Sequence, residues 1–490
     1  MKTLLLVAVC AGGLASANCF AQKEIIAEVN RLEQQGHFKD AAGVLTAALN
    51  RQALPAAERQ ELEFELDRLE RIKKDFPLTK EALFAELTKA VKGLTAREYE
   101  QWIREGRFDS REIDGCRYFM ASSVRNLFFR YTELSPRRLP PRNSAALEQR
   151  HWQTCAAIKQ AALAEMKPYV LPKRLRAAMT VTANADATTD GAIIRAWLPI
   201  PRQYPFQGDF EMLSASPPAN LIDTESSRIR SAYLEQPARK GKPTVFRIEY
   251  EYTTHGVWFD LKPEVIKASD PNNPELQEFT REAPHVVFTP EIRDLSRQIA
   301  GAELNPGLKA KRLYDWIADH IQYSYAIEYS TIRNISDYCR SRGYGDCGQE
   351  ALLFITLCRF NGIPARWQSG WNLFPGAKSN HDWCEIYLAP YGWVPVDPYM
   401  GIFAMRYATT LKPEQRREIR DFYFGGLDQY RMAANSDHNQ SLSPPKQSCR
   451  SDNVDFQRGE LEWDRHNLYF DRFTYNLTCQ EVNPARQKLE

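Results

Sequence analysis

The chain has 490 residues, 43% hydrophobic and 26% charged. That is too long for one core, and at about 150 residues per domain it predicts roughly three, all folded rather than disordered. With 64 Lys and Arg against 62 Asp and Glu, there is no basic surplus, and no nucleic-acid partner is expected.

Residues 1–21 read as a signal peptide. Lys2 gives the positive start, Leu4 to Leu14 an apolar run, and Ala15-Ser16-Ala17 a small-residue cleavage site, with a second cut available after Ala21. The run is too short to cross a membrane, and no later segment is apolar enough to do so. Cys19 follows Asn18, a poor setting for lipidation, so free secretion or a periplasmic location ranks above a lipoprotein. Export permits disulfides, and proximity along the chain suggests Cys116–Cys155 and Cys449–Cys479.

Residues 22–175 predict an α-helical domain. Ile25, Ile26, Val29 and Leu32 recur at helical spacing, as do Leu62, Leu66, Leu69 and Ile72, and Gly36-His37-Phe38 reads as the turn of a helical hairpin. Residues 176–270 alternate instead, and predict an antiparallel β-sandwich-like domain with strands at 179–182, 193–198 and 245–252. After the Pro271-Asn272-Asn273-Pro274 linker, residues 275–405 form a separate core that opens on helices near 290–300 and 308–321. Residues 406–490 are a C-terminal extension whose strands, around 454–463 and 468–477, pack on the core or on the β-domain.

Within that core three short stretches carry chemistry. Cys347 follows Gly345-Asp346 and precedes an apolar helix that stops at Asn361-Gly362. A thiol at a helix N-terminus is a thiolate candidate, and the free N–H groups there can receive an oxyanion. His381 opens a strand and Asp397 closes its partner, the two joined through Pro390-Tyr391-Gly392 as a hairpin. Asp397 can then orient His381 as the base for Cys347. His255, His285 and His320 lack the close partners of a zinc site, and no phosphate-binding glycine motif appears, so neither metal nor cofactor is expected.

These residues, with Gly362-Ile363-Pro364-Ala365-Arg366, His381-Asp382-Trp383 and Gly392-Trp393-Val394-Pro395-Val396-Asp397-Pro398, resemble the transglutaminase-like superfamily over about residues 305 to 400. The resemblance implies a papain-like α+β fold with Cys347 as nucleophile, His381 as base and Asp397 as its orienting partner. It also implies an oxyanion-hole side chain upstream of the cysteine, for which Tyr323 and Tyr325 are the candidates. More loosely, Trp197-Leu198-Pro199-Ile200-Pro201 and the tail from Val454 to Glu460 look similar to secreted bacterial members. The reading is cysteine-dependent hydrolysis of amide bonds in a peptide, protein or cell-wall peptide. Transamidation is the alternative enzyme, and a non-enzymatic envelope or binding protein on the same scaffold is the competing class.

Overall fold

After Pro141 the chain divides into two units. The structure, a computed structural model, describes residues 22–51, 54–141 and 143–482; the signal-like residues 1–21 lie outside them. No helix among the described residues is long and apolar enough to cross a membrane.

The first unit is mostly helical. Residues 22–34 form a helix, Gly36 turns the chain at φ +81°, and Phe38–Leu49 returns. The helix Ala56–Asp75 buries Leu62, Leu69 and Ile72 at the spacing of one helical face. Thr79 and Thr95 cap the next two helices, each hydroxyl accepting a backbone N–H three residues on. A hairpin of Ser110–Ile113 and Cys116–Phe119 adds strand that the sequence reading did not foresee.

In the second unit the helix Ala145–Glu165 packs by Ile158 onto Gly256, where an added Cβ would come within 2.7 Å of the isoleucine. Strand begins at Tyr169, inside the stretch read as helical, because Lys173, Arg174 and Arg176 hide its alternation. Two five-stranded sheets follow. One runs 426–427, 244–258, 169–183, 473–481, with 207–216 also on 244–258; the other runs 466–468, 460–463, 193–199, 231–237, 221–222. Their inner faces share a core of Met179, Val181, Ala196, Leu198, Phe246 and Ile248, into which the tail inserts Leu461 and Leu477. Registers of Leu461 with Ala196 and of Leu477 with Met179 show how the tail completes both sheets.

A third, four-stranded antiparallel sheet is ordered 392–396, 379–388, 365–372, 431–435. The helix Cys347–Phe360 lies on it, with Ala351 to Ile355, Leu357 and Cys358 fully buried. At Gly370 a Cβ would stand 1.8 Å from the Met432 carbonyl. Only glycine lets the tail strand approach there, and that approach delivers Arg431 to the site. Neither expected disulfide is present: Cys116, Cys155 and Cys479 are free thiols. Cys116 sits on the hairpin of the first unit and Cys155 on the buried face of a helix in the second, so nearness in sequence did not make them a pair.

Candidate active site

The helix that carries Cys347 starts where its sequence can cap it. Asp346 accepts the Gln349 backbone N–H at 3.3 Å, and the Gln349 side chain accepts the Asp346 N–H at 3.3 Å, a reciprocal capping box. Tyr329 donates its hydroxyl to the same Asp346 carboxylate at 2.5 Å. Cys347 is therefore the first helical residue, half-buried, with its side chain at the N-terminal end. Gly348 beside it leaves room that no side chain could share, since a Cβ would lie 2.2 Å from the Tyr329 hydroxyl and 2.8 Å from Asp382 Oδ2.

His381 and Asp397 meet as the hairpin predicts. The strands Ser379–Leu388 and Gly392–Val396 pair with Cys384 opposite Val396, and His381 Nε2 lies 2.7 Å from Asp397 Oδ2. The imidazole rests near-parallel to Trp383 and edge-on to Tyr399, ring centres 5.8 and 5.4 Å away. Asp397 has no exposure. Its Oδ1 accepts the Met400 N–H at 3.1 Å, and its Oδ2 faces Arg431 Nη1 at 2.9 Å. Burial alone would raise this carboxyl, but His381 and Arg431 more than reverse it and hold it below the ordinary carboxylate range. Arg431 is also anchored by Asp428, to which its Nε donates at 3.0 Å.

Cys347 is not hydrogen-bonded to His381. Its thiol donates instead to Asp382 Oδ2 at 3.5 Å. The thiolate expected from the helix terminus is opposed here: burial pushes the thiol well above its ordinary range, and Asp382 and Asp346 push it further. Tyr323 lies in a ring cluster with Tyr325 and Tyr399, centroids 5.4 and 5.0 Å apart, and Tyr399 is the residue against His381. Burial and then the neighbouring Cys347 keep the Tyr323 phenol protonated, as a donor must be. Tyr325 reaches this cluster through Tyr323.

Sequence reasoning missed Asp382, Arg431 and Gln457. Asp382 stood inside a quoted motif without a role. Gln457 stood in the quoted tail; its Nε2 donates to the His381 carbonyl at 3.0 Å and to Asp382 Oδ1 at 2.5 Å. Arg431 gave no signal beyond a lone cation in an otherwise apolar Arg431-Met432-Ala433-Ala434 strand.

The geometry makes one rate prediction. Asp397→Asn keeps the shape but offers the ring an amide, so the imidazole can settle in the wrong tautomer. We expect turnover to fall on the order of 10 to 10³-fold with little change in KM. Steady-state kinetics on the folded variant check it.

Residues 293–398 match the family model of the transglutaminase-like superfamily. A protein of Haemophilus influenzae, described only as uncharacterized, is 22% identical over 234 residues, which take in 42% of this chain and 63% of that protein. This chain thus spans less than two thirds of the length of the curated relative it matches. Among solved structures, one from Cytophaga hutchinsonii, provisionally described as a cysteine protease, is 15% identical with a TM-score of 0.42, covering 64% of this chain and 92% of that one. The periplasmic domain of TgpA from Pseudomonas aeruginosa is 15% identical with a TM-score of 0.26, covering 49% of this chain and 97% of that one.

Proposed function

Because this chain carries a transglutaminase-like domain, we propose that it hydrolyses amide bonds in a peptide or protein, cell-wall peptides included, through a thioester on Cys347. The observation that carries this reading is the 2.7 Å contact of His381 Nε2 with a fully buried, doubly anchored Asp397 carboxylate. The sheet that holds this pair lies under the helix that Cys347 begins. In the proposed cycle the Cys347 sulfur attacks the carbonyl, and N–H groups at the start of its helix receive the oxyanion, with Tyr323 or Tyr325 as the further donor. His381, oriented by Asp397, takes the thiol proton and returns it to the departing amine. Water then enters and His381 assists hydrolysis of the thioester. A leader at residues 1–21 would direct this work outside the cytoplasm, to the periplasm or beyond the cell.

Hydrolysis is preferred to transamidation because water needs no second binding site. An acyl-donor peptide turned over with and without a labelled primary amine separates them. Free acid should dominate in both mixtures; amine incorporation exceeding acid release would reverse the preference.

A further inference from the structure

We propose that Asp382 is a further residue of this catalytic site. Its carboxylate accepts the Cys347 S–H in the resting protein and opposes ionisation of the sulfur, so that the thiolate forms more readily once that carboxylate is neutralised. The inference rests on the reading of Cys347 as nucleophile, and it adds a control over when that nucleophile exists.

The contact is built. Asp382 is 2% exposed, and its Oδ2 lies 3.5 Å from Cys347 Sγ. Its other oxygen is fixed by Gln457 Nε2 at 2.5 Å, and the same amide nitrogen holds the His381 carbonyl at 3.0 Å. The carboxylate facing the thiol is thus tied to the backbone of the proposed base. Gly348 supplies the space in which Oδ2 approaches. Meanwhile His381 Nδ1 makes no hydrogen bond among the described residues, its Nε2 being engaged by Asp397. The sulfur is therefore held on the carboxylate side while the imidazole waits.

The charges around Asp382 decide the sign. Asp346 faces it from the helix cap and Asp452 and Asp455 from the tail, while Arg458, paired with Asp452 at 2.8 Å, is the opposing charge. The Tyr329 hydroxyl shares with it the space beside Gly348. Glu350, on the nucleophile helix, adds a further acidic group facing the thiol. Burial and then Asp346 raise the Asp382 carboxyl well above the ordinary carboxylate range. It therefore takes up a proton from water at a higher pH than a free aspartate would. With Asp382 neutral, the S–H proton can pass to His381, and the carboxylic acid turns its O–H toward the new thiolate. While Asp382 is charged, a thiolate beside it would be a second buried anion.

The test alkylates the full chain and its Asp382→Asn and Asp382→Ser variants with iodoacetamide from acid to alkaline pH, following Cys347 by peptide mass mapping. Both substitutions remove the charge, and the smaller serine keeps the test available if the asparagine variant does not fold. The alkylation midpoint of Cys347 should fall by about one pH unit or more in a folded variant, a rise of about tenfold in labelling rate on the flank of the curve. An unmoved midpoint in a folded variant overturns the role of Asp382 while leaving Cys347 as nucleophile. A wild-type Cys347 that no pH makes reactive sinks the nucleophile reading and this inference with it.

Discussion

Cys347→Ala will abolish amide turnover while leaving the fold intact. The side chain is half-buried at the start of its helix, and the cap is made by Asp346, Gln349 and Tyr329 rather than by the thiol. Alanine keeps the helix and removes the one atom that forms the acyl bond. When one member of a catalytic unit is deleted the others have nothing to act on, so the loss should approach that of deleting the whole unit, on the order of 10⁴-fold or more. His381→Ala should cost about 10²–10⁴-fold, the usual contribution of a positioned acid–base group. Peptide turnover together with an unchanged unfolding midpoint checks both. Turnover surviving in the cysteine variant would remove Cys347 from the mechanism.

Arg431→Met will be the most destabilising single change in the site. Arg431 has no exposure and stands between Asp397 and Asp428, 2.9 Å from each. Trp383 and Tyr423 cover its guanidinium, ring centres 5.3 and 5.7 Å away. Taking water's place, it balances two buried carboxylates; its removal strands them, and breaking such a pair from one side costs about 3–5 kcal/mol. The pH dependence follows from Asp397. A carboxyl held below its unfolded value stabilises the fold above that value, and the stabilisation is lost as pH falls through the folded pKa. Without Arg431 the Asp397 carboxyl rises, so acid unfolding should begin at a higher pH than in the wild type. Denaturant melts across the acid range measure this. A variant as stable as the parent, with the same acid limb, would show that Arg431 only fills space.

Much of the site was legible because its parts are local. The apolar helix after Cys347 reads directly from the run to Phe360, and the stop at Asn361-Gly362 falls where the helix ends, with Gly362 at φ +72°; the reciprocal cap of Asp346 and Gln349 was not read. The hairpin that brings His381 to Asp397 turns at residues 389–391, as Pro390-Tyr391-Gly392 suggested. The helix read near 290–300 is likewise present, as Pro290–Ala300. What stayed hidden arrives from far along the chain. Arg431 and Gln457 belong to the tail, and nothing local in Arg431-Met432-Ala433-Ala434 or Asp455-Phe456-Gln457 shows that a third sheet and a loop carry them to Asp397 and to Asp382. The strand partners of the tail were hidden in the same way: 460–463 pairs with 193–199 and 473–481 with 169–183, each more than two hundred residues upstream. Strands 207–216 and 231–237 were also missed, one broken by bulges against its partner and the other given no strand within the expected β-domain.

The central claim is that an acyl group passes through the Cys347 sulfur. The measurement is an acid quench of the wild type during turnover of a peptide ester, followed by intact mass and peptide mapping. The account predicts one acyl group on the peptide that contains Cys347, released by hydroxylamine as a thioester is, and absent from Cys347→Ala. Steady turnover with no adduct at Cys347, continuing in the alanine variant, would contradict it.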